Sequence, residues 1–210
     1  MTLFADPAAN IDARTYSALS AFGFRRSGNH IYRPHCQNCS ACVPVRIPVD
    51  KFEMKRSQRR IWKRNQDLQV NKIAPLFNDE TYNLYDQYIS RRHADGDMYP
   101  PEPEQFKSFL VESREETIFY EFRQQQSLVA VAVADQLEDG LSSIYTFFDP
   151  DLAKLSPGVF TILWQIEKAR EMNLQYVYLG YWIKQSQKMN YKIEYKPLEL
   201  FLKDHWVLVS

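Results

Sequence analysis

The order of elements along this chain predicts an α+β fold, a mixed sheet with flanking helices, preceded by a small cysteine-containing N-terminal region. Three observations predict it. First, the stretch from Leu141 to Lys192 divides into strand, breaker loop, helix and strand. Ser143 to Phe148 is apolar, β-branched and aromatic, which suits a strand. Asp149 to Gly158 carries the breakers Pro150, Pro157 and Gly158. Val159 to Met172 places Ile162, Ile166 and Ala169 on one helical face, and Gln175 to Tyr181 is a second strand rich in Tyr and Val. That order is a parallel crossover unit, which places ligands at the carboxyl ends of its strands and at the helix N-terminus. Second, Thr117 to Phe122 and Ser127 to Asp135 flank a glutamine turn and predict an antiparallel pair. Third, the tail from Pro197 to Val209 alternates apolar residues as closing strands. Parallel and antiparallel strands together require a mixed sheet.

Composition bounds the rest. The chain has 210 residues, 45% of them hydrophobic and 14% aromatic, which favours a folded protein over a disordered one. The longest purely apolar run, Leu128 to Ala134, is too short to span a bilayer. The N-terminus MTLFADPAANIDAR lacks the basic region and apolar core of a secretory signal. Three closely spaced cysteines do not form a disulfide framework, so the expected compartment is the cytoplasm. Net charge is zero, but residues 1–75 hold 13 Lys and Arg against 5 Asp and Glu, so the remainder is acidic by the same margin of 8. A basic front half points to a polyanionic partner. The expected division is a basic region with the cysteine motif over 1–75 and a second domain over 76–210.

Taken in order, Ile11 to Phe22 predicts an amphipathic helix with Asp12 as N-cap, Gly23 as stop, and Tyr16, Ala18 and Leu19 inward. Phe24, Ile31 and Tyr32 flank a Ser27-Gly28-Asn29 turn decorated by Arg25, Arg26 and Arg33. Cys36, Cys39 and Cys42 repeat the Cys-x2-Cys spacing that lets thiolates grip a zinc ion or an iron–sulfur cluster, with His35 alongside; buried thiols in a loop are the plainer alternative. Val43 to Val49 predicts an edge strand because of its prolines, with Arg46 among apolar neighbours where it would hold a carboxylate. Arg56, Arg59, Arg60, Lys63 and Arg64 fall on one face of a helix, with Trp62 nearby. Like charges at this spacing cost a few tenths of a kcal/mol per pair, which a phosphate backbone would offset; a solvated helix face is the alternative. Nothing resembles a base-reading motif, so DNA is not an expected partner. Asp79 to His93 and Glu104 to Ser113 predict two more helices, and His93, Asp95 and Asp97 are a turn before they are an ion site. Lys184, Gln185, Ser186, Lys188 and Met189 follow the second crossover strand, overlooking the expected crevice.

Three blocks carry a resemblance. They are FRRSGNHIYRPHCQNCSACVPVRI followed by SQRR, then SSIYTFFDPDLAKLSPGVFTILWQIE, then YVYLGYWIKQSQKMNYKIEYKPLE. Together they resemble the bacterial aspartate/glutamate leucyltransferases, short relatives of the arginyl-tRNA–protein transferases, nearly end to end. The resemblance implies a GNAT-like fold for the second half. It also implies transfer of leucine from Leu-tRNA to the N-terminal amine of proteins beginning with Asp or Glu, marking them for the N-degron pathway. The family usually carries a further cysteine-bearing segment, of the type CSYLP, ahead of the part where this chain begins, and that segment bears on metal binding and on activity.

An aminoacyl ester is already activated, so the resemblance implies no cofactor for the chemistry. The enzyme has to hold an amine against an ester carbonyl and stabilise the oxyanion. On this basis Tyr178, Tyr181 and Lys188 are the expected catalytic donors, and Arg46, Tyr191 and Lys192 the expected substrate-binding residues. The tRNA would meet Arg56, Arg59, Arg60, Lys63 and Arg64 with its acceptor stem, and Ser156 and Gly158 with its 3′ end. The cysteines 36, 39 and 42 match the family's cysteine motif. Alternatives are an arginyl donor, a metal-stapled RNA-binding module without catalysis, and an acetyltransferase, against which stands the single glycine of AKLSPG.

Overall fold

The computed structural model describes residues 1–6, 8–112 and 114–210. The strands are β1 (Thr2–Phe4), β2 (Arg25–Ser27), β3 (His30–Pro34), β4 (Val43–Pro48), β5 (Gln69–Ile73), β6 (Thr117–Gln124), β7 (Ser127–Gln136), β8 (Gly140–Phe148), β9 (Tyr176–Trp182), β10 (Leu198–Leu202) and β11 (His205–Val209). The helices are α1 (Ala13–Ala21), α2 (Arg56–Asn65), α3 (Asp79–Arg92), α4 (Pro103–Phe106) and α5 (Pro157–Glu171). One sheet of eight strands runs β11-β10-β4-β9-β8-β7-β6-β5, and a second of three runs β1-β3-β2. The expected crossover is present: β8 and β9 pair in parallel, Gly140 with Tyr176 through Ser142 with Tyr178, with α5 between them in sequence. The mixed α+β sheet is therefore as the element order requires. Among the described residues no helix is long and apolar enough to cross a membrane.

Two compact units divide the chain, and they interleave in sequence rather than meeting at residue 75. The first holds residues 1–54, 136–144 and 165–210. In it Asp12 caps α1 by accepting from the Thr15 amide at 2.7 Å, and Gly23 ends the helix at φ +82. Tyr16 is fully buried with Ile31, Leu137 and Tyr178, but Ala18 faces solvent and Ser17 and Ser20 take the inward positions. The strand at Val43 is not an edge. β4 lies between β9 and β10, and its pairing with β10 covers only Val45 and Arg46, so Pro44 and Pro48 fall outside it and remove no bond from that side.

The second unit holds residues 55–135 and 145–164. Its core joins Ile118, Tyr120 and Phe122 of β6 to Val129, Ala130, Ala132 and Ala134 of β7 and to Phe160 of α5. Trp62 and Ile61 of α2 pack against that core, with the Trp62 ring 5.4 Å from Phe160. Trp62 is thus a core residue rather than a companion to the basic face. β5 has no clear signal in the sequence; QVNKI is mostly exposed and is held as a strand by pairing with β6. Pro103–Phe106 is α-helical and Lys107–Val111 widens to a π-turn; the expected end of that helix, Ser113, lies outside the described residues.

Candidate active site

In the second unit α2 is held by its apolar side, which leaves Arg56, Arg59, Arg60, Lys63 and Arg64 all exposed on the other. The helix has no acidic residue in its first turn, so Arg56 and Arg59 stand against the positive end of its own dipole. Arg64 donates to the Lys154 carbonyl at 2.6 Å, and the Asn65 amide donates to the Leu155 carbonyl at 2.9 Å. These contacts tie α2 to the 3-10 segment Pro150–Leu155. Arg91 of α3 ties the same segment through a two-bonded pair with Asp151 at 2.9 and 2.5 Å. Ser156 follows in the left-handed region at φ 56, and its carbonyl receives the Phe160 amide to start α5. Gly158 packs closely: a Cβ there would stand 3.1 Å from the Phe148 ring, which would have to give by a few tenths of an ångström. The loop before α5 is therefore fixed at both ends beside the cationic helix.

In the first unit the expected donors are largely committed to the fold. Arg46 donates to Glu199 at 2.6 Å and lies 3.6 Å over the Tyr176 ring and 4.2 Å from that of Trp206. Its carboxylate partner is the protein's own, so the expected role in binding substrate gives way to a structural one. The Tyr178 hydroxyl is buried and donates to Asp139 at 2.8 Å; burial first, and that carboxylate second, push its pKa well above the usual range. The Tyr181 hydroxyl lies between the carbonyls of Gly23 at 3.0 Å and Tyr32 at 3.1 Å. Neither phenol points an open donor at a ligand, because the sheet that brings them close also uses them. Lys188 and Tyr191 are exposed on the 3-10 segment Gln187–Glu194, whereas Lys192 of the same segment is buried.

The reading from sequence missed Arg25. Placed on a hairpin tip as surface decoration, it is 7% exposed. Its Nη2 donates to the Ser143 carbonyl at 2.8 Å and reaches that of Tyr178 at 3.4 Å, while Nη1 is buried without a hydrogen-bond partner. Lys192 is 8% exposed and donates to the Tyr181 carbonyl at 2.5 Å. Burial first, and Arg25 second, lower its ammonium to a pKa of about 8. No isolated signal in the sequence marks Arg25; the nearest was an arginine pair between apolar residues in a strand context.

The cysteines sit on the loop between β3 and β4, with Cys36 and Cys39 exposed and facing each other across an isolated bridge, and Cys42 half-buried. All three are free thiols. Among the described residues no three His, Cys, Asp or Glu side chains are gathered as a metal-holding set.

Family models for the two ends of the arginine-tRNA–protein transferases match residues 1–60 and 80–202. The chain belongs to this family. Proteins named aspartate/glutamate leucyltransferase are 56% identical over 209 residues in Stutzerimonas stutzeri, covering 100% of this chain and 89% of the relative. The counterpart in Hahella chejuensis is 52% identical, covering 99% of this chain and 89% of that one. The chain is thus an aminoacyltransferase, as its family and these relatives are. Among solved structures, L-PGS from Bacillus licheniformis superposes with a TM-score of 0.56 at 13% identity, over 80% of this chain and 58% of that one. FemX superposes with a TM-score of 0.50 at 10% identity, over 82% and 61%. At such identities the likeness concerns the fold, which is GNAT-like.

Proposed function

We propose that this transferase moves leucine from leucyl-tRNA to the N-terminal amine of proteins beginning with Asp or Glu, in the cytoplasm where aminoacyl-tRNA is found, and so marks them for N-degron degradation. The observation that carries this is similarity above 50% to leucyltransferases along essentially the whole chain. The site residues support it independently. A row of exposed cations on α2 suits a tRNA backbone, whose binding releases counterions. The chemistry is aminolysis of an ester: the amine nitrogen bonds to the carbonyl carbon, the tetrahedral intermediate collapses, and the ribose oxygen leaves with a proton. An α-amino group has a pKa of roughly 8, so a substantial neutral fraction exists at neutral pH without a strong base. Positioning then supplies much of the rate.

A transfer assay tests the reading. Radiolabelled leucyl-tRNA and arginyl-tRNA are offered separately with peptides starting Asp, Glu or Ala. Label passing from leucyl-tRNA to the Asp and Glu peptides alone is expected; label from arginyl-tRNA would overturn the donor and keep the reaction. For the cysteine loop we retain the reading of a zinc ion or iron–sulfur cluster on Cys36, Cys39 and Cys42, which their spacing supports and which would require the thiols to turn onto one ion. Metal analysis of the purified protein is expected to find one equivalent that is lost in Cys39→Ser; metal-free active enzyme would sink it.

A further inference from the structure

We propose that Arg25 and Lys192, gathered around Gly180, form the pocket that receives the acidic side chain of the substrate's first residue. This rests on the transfer reading above and adds to it the residues that select Asp and Glu.

The geometry begins where β8 and β9 part. Their parallel pairing runs as far as Ser142 with Tyr178. Arg25 enters just beyond, its Nη2 bonded to the carbonyl of Ser143 on one strand and reaching that of Tyr178 on the other. Two residues further along β9, Gly180 takes φ +80, and the β4 pairing shifts register beside it. A Cβ at Gly180 would stand 3.6 Å from Arg25 Nε and 3.7 Å from Lys192 Nζ. Two cations therefore converge on one glycine at the carboxyl end of a parallel strand, the place where such sheets bind ligands. The glycine leaves room there for an atom of about carbon size in ordinary contact with both cations.

Among the described residues no acid is paired with either cation. Lys192 bonds a carbonyl, Arg25 bonds carbonyls, and Arg25 Nη1 is buried with no acceptor. Arg46 on neighbouring β4 shows the contrast, since it has Glu199. Buried like charges without an acid are costly, and cations kept in that state are suited to an anion supplied from outside. A carboxylate fits better than a phosphodiester. Both cations are buried, and an arginine fork with a lysine offers the several donors that two carboxylate oxygens accept. Phosphates have the exposed row on α2.

The test uses full-length protein with two readouts, leucyl-tRNA affinity and kinetics with peptides starting Asp or its neutral isostere Asn. Arg25→Gln and Lys192→Met are expected to raise KM for the Asp peptide at least tenfold and erase preference over Asn, with leucyl-tRNA affinity unchanged. Arg25→Lys, keeping charge but not the fork, should recover part of the discrimination. Lys192→Glu places a carboxylate beside Arg25 inside the chain, and this variant is expected to melt higher than wild type and yet lose the Asp peptide. Folded variants that still prefer Asp over Asn overturn the proposal. Loss of leucyl-tRNA affinity with peptide preference intact overturns it in favour of a phosphate of the tRNA. Absence of transfer by the wild type would instead refute the transfer reading, while direct binding of Asp against Asn peptide to the wild type, measured without tRNA, would still decide the pocket.

Discussion

The most informative single side chain is Lys192. Burial and Arg25 depress it from 10.5 to about 8, so below pH 8 the folded protein carries a charge it would rather lose. The unfolded chain holds that proton up to 10.5, hence the unfolded state binds more protons between pH 8 and 10.5 and stability rises across that window. The depression corresponds to about 3 kcal/mol. Lys192→Met is therefore expected to be more stable than wild type by up to about 3 kcal/mol at pH 7, an advantage that fades between pH 8 and 10.5. Urea melts of both proteins at pH 7 and pH 10 check this; equal stabilities at pH 7 would mean the ammonium is better solvated than its burial indicates. The tyrosines act oppositely. Tyr85 is pushed up to about 12 by burial, so above pH 10 the unfolded state loses protons first and stability falls. Arg46 and Glu199 supply a second test. Glu199→Ala leaves a buried guanidinium without its acid and should cost about 3 kcal/mol, much of which Arg46→Met in the same chain should restore.

At the scale of elements, α2 separates two roles by its faces. Its Ile61 and Trp62 side is core, and its cationic side is exposed. Arg59→Ala with Arg60→Ala should weaken tRNA binding and lower the slope of log affinity against log salt by about 2, with the melting curve nearly unmoved. Trp62→Ala should do the reverse, destabilising by about 3 kcal/mol through a cavity against Phe160. If the arginine pair leaves tRNA affinity and its salt slope unchanged, α2 is a solvated face and the acceptor stem lies elsewhere. The loop before α5 belongs to the same scale. Arg64, Asn65 and Arg91 fasten Pro150–Leu155 from two helices, so the turn is set before any ligand arrives.

For the whole molecule, the charge asymmetry seen along the chain resolves into distinct duties. The front half's arginines are not one patch: those of α2 are exposed, while Arg25, Arg26 and Arg46 are buried. On the proposed assignments, variants of the α2 row and of the Arg25 and Lys192 pair would act on different substrates. Their effects on kcat/KM are expected to multiply when combined, the first raising KM for aminoacyl-tRNA and the second KM for peptide. A combined variant much less impaired than that product would show the two groups serve one ligand.

The sequence alone determined the crossover unit, the α1 cap at Asp12, the β6–β7 hairpin, the closing strands and the cationic face of α2. Each is written in local periodicity, capping or turn residues, which depend on neighbours a few positions away. The family was legible too, because its blocks span most of the chain. Only the tertiary structure decided which charged side chains are buried. Arg25 and Lys192 lie far apart in sequence and meet because β9 carries Gly180 past both, and no spacing rule anticipates such a meeting. It likewise decided that Arg46 has Glu199, that Tyr178 has Asp139, and that β4 is interior, since long-range pairing selects partners that local preference leaves open.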